Sequence, residues 1–233
     1  MVVAQAPGRA AIFHPMNPMM LESIQVGQAR TVGRPDAEDQ FHREYTSAIW
    51  KEPVTGPVWL DTLGLHGDRQ VDRKHHGGPW RALLMYPADH YPAWRAEWGR
   101  KDLSHGAFGE NLTVTGLSEA TVCLGDQFAI GEAIIEVTSP RAPCHILAKR
   151  HGMPDLVESI RRNHRHGWYL RVLRPGWIEA GQAVTLRDRP YPQWPVARAA
   201  AVKWNAAGQP EEARLLAACP ALIPEWRETL ARV

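Results

Sequence analysis

The sequence predicts a mostly β, barrel-like body with peripheral helices, followed by a small C-terminal domain of three helices. Three observations carry this. Nineteen glycines and nineteen prolines cut the chain into short strand-like runs, where a helical protein would show long periodic stretches. The runs lack the regular strand–helix alternation that a doubly wound parallel sheet requires. At Arg189-Pro190-Tyr191-Pro192 the composition shifts, and the segments beyond it carry helical spacing. The body is expected over residues 20–190 and the helical domain over 191–233. Residues 1–19 read as a disordered extension, with later starts open at Met16, Met19 or Met20.

Met20, Ile24 and Val26 fall on one side of a first strand, and residues 33–39 are polar turn sequence. Residues 46–51 and 58–63 read as the next two strands, separated by the breakers Pro53, Gly56 and Pro57. A glycine- and histidine-rich loop covers 64–78. Strand character at 82–86 leads into a helix on which Tyr91, Trp94 and Trp98 recur at helical spacing. Pro92 is tolerable there only in the first turn. Residues 113–115 and 121–124 read as short strands, and 127–130 with 133–138 flank Gly131-Glu132, a two-residue hairpin turn. Met153, Leu156, Val157 and Ile160 make the apolar stripe of a helix, after which strands return at 168–173 and 183–186. The tail helices are expected at 196–204, 211–218 and 224–230. They are too small to bury much core alone, so they should dock on the body or on a partner.

Composition excludes several classes. A net charge of +2, from 27 basic and 25 acidic residues, is too balanced for non-specific nucleic-acid binding. Cys123, Cys144 and Cys219 make an odd count without a CxxC, which argues against a disulfide framework or a cysteine zinc cluster and for a reducing, cytoplasmic setting. The first twenty residues hold no apolar run of signal-peptide length, and no segment approaches a membrane span.

Ser139-Pro140-Arg141-Ala142-Pro143-Cys144 carries the strongest chemical signal. It follows the most strand-like run, and its prolines place Cys144 at a strand exit. Arg141 favours the thiolate, the form that attacks electrophiles and binds soft metals. Taken alone, Cys144 reads equally well as a buried structural cysteine. Cys123, in a β-rich run, and Cys219 read as structural, buried thiols.

Two further clusters precede it. Gly64-Leu65-His66-Gly67-Asp68, with Asp72, His75, His76, Gly77 and Gly78, suggests a loop whose amides approach an anionic ligand. A plain turn-rich loop is the alternative; a histidine metal site is disfavoured because adjacent loop histidines rarely converge on one ion. Gly109-Glu110-Asn111-Leu112 offers an amide suited to a heterocycle edge and a carboxylate able to hold the loop by accepting backbone N–H bonds. Arg81 is a candidate phosphate ligand, and Gly125-Asp126 reads first as a turn.

Together these stretches, with Gly167-Trp168-Tyr169-Leu170-Arg171-Val172, resemble the MOSC family, the domain homologous to the C-terminal part of molybdenum-cofactor sulfurases. The YiiM-like branch is the nearer match, since it also carries a small helical C-terminal domain. The resemblance implies binding of molybdenum cofactor (molybdopterin), with Cys144 as thiolate ligand of the metal and catalytic residue. It implies cofactor contacts from Arg141, Asn111, Glu110, His76, Gly77, Gly78, Arg81 and Asp126. Arg81 stands where this branch commonly has lysine. YiiM-like proteins are associated with reducing N-hydroxylated bases such as 6-hydroxylaminopurine, and the mitochondrial amidoxime-reducing component acts similarly on amidoximes. The implied protein is a molybdenum-dependent oxidoreductase fed by a separate electron-donor protein of flavin-reductase type, because the sequence carries no flavin, haem or iron–sulfur motif. The alternative is a persulfide or cofactor carrier acting through the same cysteine. Oligomeric state is open, a homodimer included.

Overall fold

A computed structural model describes residues 18–73 and 76–233. The extension expected over 1–19 falls almost wholly outside them, as does His75. In chain order the strands are β1 (Met20–Gly27), β2 (Arg30–Val32), β3 (Tyr45–Ser47), β4 (Lys51–Val54), β5 (Val58–Asp61), β6 (Gly64–Leu65), β7 (Leu83–Pro87), β8 (Leu112–Thr115), β9 (Gln127–Ile130), β10 (Ala133–Pro140), β11 (Trp168–Arg174), β12 (Gly176–Ile178) and β13 (Thr185–Asp188). The helices are α1 (His90–Trp98), α2 (His145–His151), α3 (Leu156–Asn163), α4 (Val196–Trp204), α5 (Pro210–Ala217) and α6 (Pro224–Leu230).

Eight strands form one curled sheet in the order β13-β9-β10-β11-β7-β8-β1-β4. Every pairing in it is antiparallel except β7 with β8. A bridge from Met20 to Ala183, with Leu21 N–H donating to Gln182 O at 2.9 Å, bends the sheet towards closure as a half-barrel. The fold is thus the mostly β body expected, with no doubly wound core.

Register explains where the site lies. Pro140 pairs with Trp168, Trp168 with Met85, Met85 with Leu112, and Leu112 with Ile24. One row of residues therefore crosses β10, β11, β7, β8 and β1, and the loops leaving that row converge at one mouth. Gly167, just before the row, has φ +71°, and a Cβ there would stand 2.5 Å from Met85 O. Only glycine lets β11 start this close to β7.

Two apolar clusters fill the interior. One joins the barrel strands to the tail: Phe128, Val137 and Leu170 share it with Val196, Leu216 and Leu230. The tail therefore docks on the body, as its small size demands. The other, under α1–α3, stacks Tyr86 on Phe108 at 4.6 Å between ring centroids, with Trp94, Leu147 and Ile160 around them.

Three local expectations are corrected. Pro53 lies inside β4 and is not a breaker; β4 is the edge strand of the sheet, where a missing N–H costs no ladder bond. The strand expected at 46–51 is split into β3 and β4 around residues 48–50. Residues 121–124 form turns and one isolated bridge, Cys123 to Pro195, because the Asp126 carboxylate takes the Cys123 N–H at 2.8 Å.

Candidate functional site

A cavity of about 340 Å³ opens at the mouth, and Cys144, Arg141, His76, Arg81 and Asn111 all line it. β10 ends at Pro140, and Arg141 N–H donates to Gly167 O at 3.1 Å, which fixes the exit of the chain. Cys144 then immediately precedes α2. Burial pushes its thiol up, but a hydrogen bond from His76, the charges of Arg141 and His76, and the Leu147 N–H outweigh this and bring it down to about 6. His76 is steadied by a 3.0 Å hydrogen bond between its Nδ1 and the Tyr169 hydroxyl.

Arg141 is 3% exposed. Its Nη2 donates to Phe108 O at 3.4 Å, whereas Nε and Nη1 have no hydrogen-bond partner among the described residues. A buried guanidinium with unspent donors is costly unless something else satisfies it. The cavity wall also carries Lys51, Arg69 and Arg81, against the carboxylates Asp68 and Asp72. The fixed charge favours an anion.

The remaining expected residues divide. Asn111 lines the cavity, yet its amide is committed to the protein. Oδ1 accepts from Leu84 N–H at 3.2 Å, and Nδ2 donates to Asp68 Oδ2 at 2.9 Å and Gln25 O at 3.3 Å. Gly77 and Gly78 do not themselves line the cavity. They fold against Gln70, whose Oε1 accepts the Gly78 N–H at 3.3 Å. Glu110 and Asp126 are not brought to this cavity. Glu110 is fully buried and spends its carboxylate on Gly106 N–H at 2.7 Å, Phe108 N–H at 3.1 Å and the hydroxyls of Thr113 and Tyr91. Asp126 forms an ion pair with Arg189 at the tail junction, where a Cβ on Gly125 would meet the Tyr191 ring at 2.7 Å.

Three residues were not assigned from sequence. Lys51 pairs with Asp68 at 2.5 Å, and Asp68 also accepts Gly27 N–H at 2.7 Å, so the pair pins the loop after β6 to the β1–β4 edge. Nothing around Lys51 in the sequence marks it. Tyr169 and Asp68 lay within quoted motifs, but only the fold reveals which partners they meet.

A thiol of lowered pKa beside a buried cation, at the mouth of a curled mostly β sheet, makes a site chemically suited to an anionic ligand with a soft centre. The model of the MOSC domain matches residues 72–185. YiiM of Escherichia coli strain K12 is 36% identical over 188 residues, covering 80% of this chain and 84% of that protein. The uncharacterized YflK of Bacillus subtilis strain 168 is 40% identical over 158 residues, covering 68% and 71%. A protein of Gibberella moniliformis named "Reductase" is 43% identical over 156 residues, 66% of this chain, and the match spans only 28% of that longer protein. The crystal structure of YiiM from Geobacillus stearothermophilus superimposes with a TM-score of 0.76 at 33% identity, covering 92% of this chain and 98% of the other. The chain belongs to the MOSC domain family, on its YiiM-like branch. Proteins of this family are associated with molybdenum cofactor. Among the described residues no helix is long and apolar enough to cross a membrane, and no cluster of three or more histidine, cysteine or acidic side chains could hold a metal ion by itself.

Proposed function

We propose that this protein reduces N-hydroxylated bases or related N-hydroxyl compounds, with a molybdenum cofactor whose metal takes the Cys144 thiolate as a ligand. The observation that carries the reading is the meeting of one low-pKa thiol and one buried guanidinium with unspent donors in a single cavity. The residues present fit that cofactor. Cys144 supplies the soft donor molybdenum prefers, and the Arg141 guanidinium, buried at the cavity wall, supplies positive charge towards its phosphate. Arg81, on the same wall, is a second phosphate contact. The 340 Å³ volume lies within the range of small-ligand sites.

When bound, the cofactor supplies the two-electron exchange that breaking an N–O bond requires. The chain's own residues do the rest. Arg141 and His76 keep Cys144 deprotonated. The His76–Tyr169 pair holds a proton beside the thiolate and can deliver it to the departing oxygen. In balance, the N–O bond is cleaved, two electrons and two protons are consumed, and an amine and water leave. A separate donor protein, a flavin-dependent reductase by class, provides the electrons. The "Reductase" name of the fungal relative supports a reductive role.

The test compares wild type with Cys144→Ser, both made in molybdenum-replete cells. Molybdenum and pterin are quantified, and turnover of 6-hydroxylaminopurine is followed with a chemical reductant. Wild type should carry the cofactor and turn over, and the variant should lose at least ~10³-fold in kcat/KM with its melting temperature nearly unchanged. Full activity in Cys144→Ser would rule out the thiolate role. Cyanide-labile sulfur on Cys144 without turnover would instead favour the carrier.

A further inference from the structure

The group formed by Cys144, His76, Tyr169 and Arg81 borders two cavities. Besides the one described, a second of about 260 Å³ adjoins it and shares those four residues. Its other walls come from Pro140, Ala142 and Pro143, and from Ile223 and Trp226 of the C-terminal helices. Ser139 backs this wall from within the core, fully buried.

We propose that this second cavity is the substrate subsite: it takes the flat, largely apolar body of the substrate between the Pro140–Pro143 turn and Trp226. The N-hydroxyl end then points to Cys144, His76 and Tyr169. The inference rests on the reaction proposed above and adds where its substrate sits and which residues select it.

Three observations carry it. The first is division of space. The cofactor contacts proposed above use the charged wall of the first cavity, whereas the adjoining 260 Å³, just below the usual range of ligand sites, leaves space for only a one- or two-ring compound. Occupants of the two cavities meet at the shared residues, which a two-electron reaction between them needs. The second is the apolar character of the walls, Pro140, Ala142, Pro143, Ile223 and Trp226, which suits a flat ring rather than the anion favoured by the first cavity. The third is that the wall is built to stay in place. The register of β10 on β11 shifts between Val137 and Ser139, a bulge of the kind that re-aims a side chain. Within it Thr138 O accepts Ile223 N–H at 3.2 Å, and Thr138 Oγ1 donates to Trp80 O at 2.7 Å. Glu225 pairs with Arg81 at 3.2 Å. The segment that forms this wall is thus the one that anchors the tail, making the tail part of the site.

The experiment measures binding of 6-hydroxylaminopurine and of benzamidoxime to cofactor-free protein by calorimetry. Ile223→Trp, which fills the second cavity, should weaken both at least ~10-fold. Trp226→Ala, which removes the opposite wall, should weaken both ~3–10-fold, and because it truncates a half-buried side chain it decides the matter if Ile223→Trp does not fold. Ile146→Trp, filling the first cavity, should block molybdenum loading but not base binding. No binding to wild type, unchanged affinity in Trp226→Ala, or loss of base binding only in Ile146→Trp would each overturn the subsite. Loaded wild-type enzyme reports separately on the reaction. Turnover combined with normal binding in Ile223→Trp discards the subsite and keeps the reaction. Wild-type binding that Ile223→Trp and Trp226→Ala weaken as expected, without turnover, does the reverse.

Discussion

Cys123 and Cys144 each lie near a strand end with an arginine close by, yet they acquire opposite chemistry. At Cys123 burial pushes the thiol up, the Asp126 charge adds to the rise, and Arg189 opposes it too weakly, leaving a value of about 11. At Cys144 burial also pushes up, but His76 and Arg141 win and the value falls to about 6. What differs is the state of the arginine. Arg189 is spent on Asp126 through two hydrogen bonds, Nε at 2.8 Å and Nη2 at 2.6 Å. Arg141 meets no carboxylate in an ion pair among the described residues, and its Nη2 donates to a neutral carbonyl. A cation near a thiol activates it only to the extent that no carboxylate has claimed it first.

The widest gap should appear in labelling. At pH 7 iodoacetamide should modify Cys144 more than ~10²-fold faster than Cys123, after allowing for the lower intrinsic nucleophilicity of the more acidic thiol. Mass mapping of partly labelled protein reads this, and equal rates would break the comparison. Next is Asp126→Asn. It strands the Arg189 guanidinium and should cost ~2–4 kcal/mol in urea unfolding, while lowering the Cys123 pKa. A variant as stable as wild type would mean that the pair contributes little to holding the tail junction.

A smaller effect is expected for Arg141→Gln. The Cys144 pKa should rise by ~1–2 units, read from the pH dependence of alkylation. The sign for stability follows. A depressed thiol pKa stabilises the fold fully above the unfolded thiol value of ~8.5 and loses that contribution as pH falls towards about 6. The variant should flatten that limb. The smallest is Glu225→Gln. Glu225 is 59% exposed and bonds Arg81, so removing its charge should lower the Cys144 pKa by less than ~0.5 unit and change stability by under ~0.5 kcal/mol.

Much of this was legible because local signals coincide with the fold. Gly131-Glu132 turns β9 into β10, Pro92 falls in the first turn of α1, and the 196–204, 211–218 and 224–230 helices lie within two residues of their expected bounds. The Arg141–Cys144 exit was readable from its prolines. What was not readable depends on pairing across distance. Asn111 looked available to a ligand because nothing local shows that Leu84, Gln25 and Asp68, 27 to 86 residues away, use up its amide. For Glu110 the motif allowed a carboxylate that holds its own loop, and the Gly106 and Phe108 amides do fold back onto it, which removes it from the cofactor contacts the resemblance implied. Lys51 carried no motif, and its place follows from the pairing of Gly27 with Lys51. The split near residues 48–50 escaped notice because nothing local shows that β3 pairs with β2 while β4 pairs with β1.

The order of strands bears on how the chain emerges from the ribosome. β1 finds β4 as soon as residue 54 is free, since Ile24 pairs with Val54. Its other edge belongs to β8, where Met20 meets Thr115, and its first residue also bridges to Ala183. At roughly 5–20 residues per second, that second edge stays open for several seconds after β1 has left the tunnel. An open edge of this kind invites pairing with other chains. The lysine and proline on β4 guard the outer flank of the nascent hairpin, while the inner flank depends on timely synthesis of β8, or on a chaperone until then.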